Sequence, residues 1–157
     1  MLHCESGGLV PRVHTPYQPP AEYDFVVTFS QERLRNGVSL IMPNRNGETF
    51  YWCVGSRRGA EHGLSVDGKN VEVKLPMGRE VRAGTYHTAV VQVRRNEVRA
   101  LLDGKEVLRR KTDFKDLKTD GWRKMKDNTV LSVACDDPTV FTAVRVIEIR
   151  GTGKRVR

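Results

Sequence analysis

The 157-residue chain is short of the residues that most often advertise chemistry. His3, His14, His62 and His87 show no i,i+4 pairing of the kind that holds zinc on a helix. Cys4, Cys53 and Cys135 form no CxxC pair and no metal-ligand spacing. Neither GxxxxGK[ST] nor GxGxxG occurs, so nucleotide binding has no support. His87 has no serine or cysteine nucleophile placed beside it by motif, which leaves a catalytic triad without a foundation. No apolar run approaches the roughly 18 to 20 residues that span a bilayer as a helix, and mean hydropathy is −0.50. The opening MLHCESGGLVPR lacks a basic stretch followed by an apolar core, so no secretory signal is visible in it. The expectation is a chain without cofactor, metal or assigned catalytic residue.

What the chain has is alternation. In Tyr86 to Leu108, Ala89, Val91 and Val93 alternate with Thr88, Gln92 and Arg94, the period-two pattern of a half-buried strand. Arg95-Asn96-Glu97 interrupts, then Val98, Ala100 and Leu102 alternate outward to Asp103-Gly104. Asp-Gly between apolar runs is a strong hairpin signal, because both central residues of a type I′ turn need positive φ. The stretch therefore predicts a three-strand meander. Asp24–Phe29, Val38–Met42, Glu48–Val54, Leu64–Val66 and Val71–Leu75 precede it as further strands, punctuated by Pro43–Gly47 and Asp67-Gly68. Lys111 to Asp127 is polar, with Phe114, Leu117, Trp122 and Met125 as sparse anchors, and reads mostly as loop. Asn128–Ala134 and Val140–Ile149 close the pattern.

Many short strands, regular turns and almost no helix predict an all-β protein, an antiparallel β-sandwich. Residues 1–22 read as an extended, proline-rich lead-in, 23–150 as the sandwich domain and 151–157 as a basic tail that frays. Cys53 and Cys135 lie in apolar strand contexts. They read as two buried free thiols, with a Cys53–Cys135 disulfide as the alternative, which implies an oxidising compartment.

Net charge is +8, and it is uneven. Residues 1–78 hold 8 Lys/Arg against 8 Asp/Glu, and residues 79–157 hold 19 against 11. Arg109, Arg110, Lys111 and Lys124 stand out as a candidate basic patch for an acidic polymer or protein. The opposing reading is solvated strand faces whose positive charge discourages edge association. Nucleic acid is not an expected partner.

PPAEYDF before the first long strand, the FYW strand, AVVQVRRNEVRALLDGKEV and the final TVFTAVRVIEIRG together resemble concanavalin A-like lectin/glucanase sandwiches. Within these, the similarity is to laminin-G-like and 3-keto-disaccharide-hydrolase-like bacterial domains. The resemblance covers about Tyr23 to Lys154 and implies a jelly-roll sandwich. The glucanase branch carries Glu-x-Asp-x-x-Glu on one strand, two carboxylates suited to glycoside chemistry. That strand does not occur here, so enzymatic activity is not carried over.

The resemblance implies a non-catalytic carbohydrate-binding module, of a kind often exported, with aromatic platforms on a concave sheet. Tyr51 and Trp52 are adjacent and face opposite sides of a strand, so one of them is a candidate platform and the other core. Arg57, in a polar loop with Arg58, Glu61 and His62, is a candidate for hydrogen-bonding hydroxyls. Trp122 is a candidate groove wall. Plain packing is the competing reading for each ring. Two alternatives remain: a 3-keto-disaccharide-type hydrolase or lyase recruiting Asp136, Asp137, Glu48 or His87, and an interaction domain that meets an acidic partner through the basic second half.

Overall fold

A computed structural model describes residues 2–4, 11–119 and 125–156. The strands are β1 (Leu2–Cys4), β2 (Arg12–His14), β3 (Tyr17–Gln18), β4 (Glu22–Gln31), β5 (Asn36–Pro43), β6 (Thr49–Ser56) and β7 (Glu61–Val66). They continue with β8 (Lys69–Lys74), β9 (His87–Arg94), β10 (Glu97–Leu102), β11 (Lys105–Lys111), β12 (Ser132–Cys135), β13 (Thr139–Arg150) and β14 (Lys154–Arg155). Two six-stranded antiparallel sheets face each other, ordered β1-β13-β4-β9-β10-β11 and β2-β12-β5-β6-β7-β8.

Alternation decides which side chains meet between the sheets. In the first sheet, Phe25 sits opposite Val91 and Phe29 opposite His87, while Val98 and Ala100 continue the same face against Val93 and Val91. In the second sheet, Leu40 opposes Trp52 and Met42 opposes Phe50. These apolar residues form one buried core. Each large apolar side chain so enclosed contributes roughly 1.5–3 kcal/mol.

The turns follow local chemistry. Asp103 and Gly104 have φ of 50° and 76°, and Asp67 and Gly68 have 49° and 73°, the paired positive φ of a type I′ hairpin. The Asp103 carboxylate accepts the Thr88 amide at 2.8 Å and meets His87 Nδ1 at 2.7 Å, and His87 Nε2 accepts the Arg82 amide at 3.0 Å. That ring, a candidate for chemistry in the sequence, ties the loop before β9 to the β10–β11 turn. Asp137 is likewise held, its Oδ2 accepting the Arg35 and Asn36 amides.

Three expectations are corrected. The lead-in, where it is described, belongs to the sandwich rather than preceding it: β1 pairs with β13, and β2 with β12, adding one edge strand to each sheet. The basic tail does not simply fray, because β14 pairs with β3; Glu148 supports this by accepting the Gly153 amide and the Tyr17 hydroxyl. Burial first, then the bond to Glu148 and its charge, push the Tyr17 phenol up to about 12.

The third correction concerns the thiols. Cys135 is bridged to Cys4, not to Cys53. Cys135 opposes Val38, on the inner face of the second sheet, whereas Cys53 opposes Ser39 on the outer face. Two cysteines on opposite faces of one sheet cannot meet. Cys4 reaches Cys135 from the first sheet, so the bridge ties the two layers together. Cys53 is buried and outside any disulfide, its Sγ donating to the Asn36 carbonyl at 3.3 Å.

A buried histidine gives the fold a pH dependence. His62 Nδ1 accepts the Trp52 indole N–H at 3.1 Å inside the core, and burial lowers its pKa. The unfolded chain therefore takes up the proton first, as pH falls through about 6.5, and stability falls with it. The melting temperature is expected to drop between about pH 7 and 5. A separate loss begins lower, where carboxylates such as Asp127, held down by the Thr129 hydroxyl and amide, become protonated. In His62→Gln the upper phase should shrink while the lower one persists. Equal slopes between pH 7 and 5 in both proteins count against this assignment.

Candidate functional site

The outer face of the second sheet carries Tyr51 and, at its rim, Arg57, and it divides into a covered part and an open part. Tyr51 opposes Ile41 and Cys53 opposes Ser39, all pointing away from the sandwich core. Ala134 continues the row from β12. Such a face normally meets water, yet Ile41, Tyr51, Cys53, Ala134 and Met125 form a second buried apolar cluster. Met125 belongs to the long connection between β11 and β12, which supplies cover.

The described part of that connection is anchored by backbone groups. The Asn44 side-chain amide donates to the carbonyls of Phe114 and Leu117. The Asp67 amide donates to Asp116 O at 2.7 Å, and the Thr119 amide to Thr49 O at 2.7 Å. Phe114, at φ 68°, is buried edge-on against Phe50, with the Arg45 guanidinium 4.7 Å from its ring centre. Residues 112–119 thus close one end of the sandwich and clamp the β5–β6 and β7–β8 turns together.

The aromatic candidates fare differently from the polar one. Trp52 points inward and is 0% exposed, so its ring offers no face to a sugar. Tyr51 points outward but is also 0% exposed, under the covered part of the sheet. The sequence correctly set the two rings on opposite faces; it carried no sign that both faces are covered there. Trp122 and Lys124 lie outside the described residues.

Arg57 is at the surface, its side chain 72% exposed, and it is held in place. Arg57 and Arg58 adopt φ of 46° and 63°, and consecutive left-handed conformations in non-glycine residues are uncommon and costly. The turn they form is fixed by Gly59 N donating to Gly55 O at 3.1 Å and by Val81 N donating to Gly59 O at 2.9 Å. Arg57 Nε lies 3.1 Å from Glu61 and 3.5 Å from Glu72. Asn70 donates to Glu72 at 3.3 Å and lies over Gly63, where a Cβ would collide with its side chain. Glu72 is directly opposite Gly63 in the register, so Arg57, Glu61, Asn70 and Glu72 share the open part of the outer face, over β7 and β8. The sequence nominated Arg57 and did not name Asn70 or Glu72, which alternation along Lys69–Lys74 places on that face.

Among the described residues, the basic candidates Arg109, Arg110 and Lys111 do not share one face. Arg109 opposes Arg99 and Lys111 opposes Glu97, on the outer face of the first sheet, whereas Arg110 opposes the core residue Val98. Arg109 lies 3.3 Å from Glu106, and Arg110 is paired with Asp116. The hydrolase candidates are dispersed: Glu48 in the β5–β6 turn, Asp136 and Asp137 between β12 and β13, and His87 at the start of β9.

No family model matches the chain, and no curated protein does. Solved structures do. A carbohydrate binding module, CBM66 from Bacillus subtilis, superposes with a TM-score of 0.56 at 11% identity, over 82% of this chain and 76% of that one. A human galectin-16 double variant gives 0.56 at 9% identity, over 92% and 99%. A tetrameric galectin from the ball sponge Cinachyrella sp. gives 0.54 at 14%, over 88% and 99%. Identities this low speak to architecture. With two facing antiparallel sheets and no helix among the described residues, the chain is an antiparallel β-sandwich of the concanavalin A-like fold that the module and the galectins share.

Proposed function

We propose that the protein is a lectin-like, non-catalytic module that binds carbohydrate on the open part of its second sheet. The observation that carries this reading is the Arg57–Glu61–Glu72 cluster with Asn70 beside it. A sugar presents neighbouring hydroxyls that each donate and accept. Two carboxylates bridged by a guanidinium, with an amide alongside, offer both functions at fixed spacing. The structural neighbours named as a carbohydrate binding module and as galectins support the same class. Tyr51 and Trp52 do not act as platforms in this reading; Trp52 supports the sheet from beneath, and recognition is polar.

The test is a glycan array followed by calorimetry on the best binder. Arg57→Ala and Glu72→Gln are each expected to weaken binding at least about tenfold, the scale of one lost charge-assisted hydrogen bond. Gly63→Ala is expected to do the same with little change in stability, because the atom it displaces is the end of the Asn70 side chain rather than backbone. Binding to neutral glycans should persist at high salt. An array with no binder, or affinity unchanged in all three variants, sinks the proposal.

A further inference from the structure

The second sheet ends at β8, and no strand pairs with its far side among the described residues. The register shows which peptide groups are left over there. Leu75 N–H donates to Ala60 O at 2.8 Å, one step beyond the Glu61–Lys74 pair. In an antiparallel ladder alternate residues turn their N–H and C=O to the same neighbour. Val71 and Val73 therefore bond toward β7, and Asn70, Glu72 and Lys74 turn their peptide groups outward.

Natural edges are usually blunted by lysines, proline, a bulge or a covering segment, and of these the edge has lysines alone, Lys74 sharing its face with Glu72. Lys69–Lys74 contains no proline and pairs with β7 without a register shift. Its other face is apolar: Val71 and Val73 oppose Leu64 and His62 on the core side, yet are 50% and 51% exposed, and Met77 beyond them is 97% exposed. These side chains leave a strip of apolar surface along an unpaired edge.

We propose that this edge pairs antiparallel with the same edge of a second copy of the chain, about a twofold axis through Val73. In that register Glu72 of each protomer faces Lys74 of the other, and Val71 faces Leu75. Glu72 and Lys74 are the residues whose peptide groups point outward, so the two oppositely charged pairs fall at hydrogen-bonded positions. Val73 meets Val73 at the close, non-hydrogen-bonded position between them. The register centred one residue earlier sets Glu72 against Glu72 and is disfavoured by like charge. The charge pattern of the strand is thus self-complementary in the way a twofold interface requires, and the valines of both copies join into one strip. The case for this interface does not rest on the sugar reading, although Glu72 belongs to both, and the crosslinking at position 73 tests it apart from that residue. It would bring two open β7–β8 faces side by side on one continuous sheet.

The test uses the whole chain in sedimentation equilibrium. Mass is expected to rise from 17.8 kDa toward twice that value with concentration. Glu72→Lys alone and Lys74→Glu alone should each remain monomeric, since each sets like charges against one another. Mixed one to one, they should form a heterodimer, because the first variant presents two cations along this edge and the second presents two carboxylates opposite them. Independently of those variants, Val73→Cys should form an intermolecular disulfide under mild oxidation at least tenfold faster than Val71→Cys. Monomeric mass up to about 1 mM, failure of the mixture to associate, or faster crosslinking through position 71 overturns the proposal.

Discussion

Trp52→Ala is expected to destabilise the protein by about 3–5 kcal/mol, the range for deleting a buried aromatic side chain. The ring is wholly enclosed in the core between the sheets, opposite Leu40 on β5 and Leu64 on β7. Removing it opens a cavity that β-sheet backbones close only partly. It also leaves His62 Nδ1 without the indole N–H it accepts, and a buried acceptor without a donor adds to the cost. Urea denaturation with tryptophan-independent detection measures the change. Trp52→Phe keeps most of the volume and loses the hydrogen bond, so a smaller loss of about 1–2 kcal/mol is expected. A surface platform behaves in the opposite way: Trp52→Ala would then abolish sugar binding and leave the denaturation midpoint in place. The two outcomes separate a core residue from a binding residue in one experiment.

Gly59→Ala is the second large effect, and it acts through the backbone. Gly59 has φ +85°, and a Cβ built there runs into the Val81 carbonyl oxygen and carbon, which are main chain and cannot swing aside. The left-handed conformation costs a residue with a side chain roughly 1–2 kcal/mol. A second consequence is loss of the Val81 N–H to Gly59 O bond, which docks the loop between β8 and β9, where Val81 is buried. Adding the left-handed cost, that bond and part of one valine burial gives a total loss of about 3 kcal/mol. Because Gly59 closes the turn that carries Arg57, the same substitution is expected to weaken the carbohydrate binding proposed for this face even at temperatures where the sandwich is intact. Hydrogen exchange across residues 76–84 measured beside binding distinguishes this coupled effect from global unfolding. Protection unchanged in that loop would show that Gly59 does not hold it.

Gly59 and Gly63 illustrate how differently two glycines on neighbouring stretches act. Gly63 faces the end of a polar side chain, so a methyl there moves Asn70 and leaves the sheet alone. Gly59 faces backbone, so a methyl there moves a loop. The first is a lever on the candidate site alone, the second on the site and its scaffold together.

The sequence by itself determined what depends on neighbours along the chain. Asp67-Gly68 and Asp103-Gly104 announced hairpins because few residue pairs tolerate two consecutive positive φ values. The meander from His87 to Lys111 was legible because a strand half in a core must alternate. The opposite orientation of Tyr51 and Trp52 followed from the same rule. Tertiary structure alone decided what covers a face. Tyr51 is buried because Met125, from a connection with no periodicity of its own, packs into the same cluster. Cys135 pairs with Cys4 because β1 adds to the first sheet and its cysteine reaches across to the second, a partnership that strand contexts taken singly do not reveal. Arg57 was visible as a polar loop residue, and alternation puts Asn70 and Glu72 on one face of their strand, but the pairing of β7 with β8 decides that this face lies beside Arg57. Alternation states which side chains share a face; only packing over long sequence separations states whether that face meets core, cover or water.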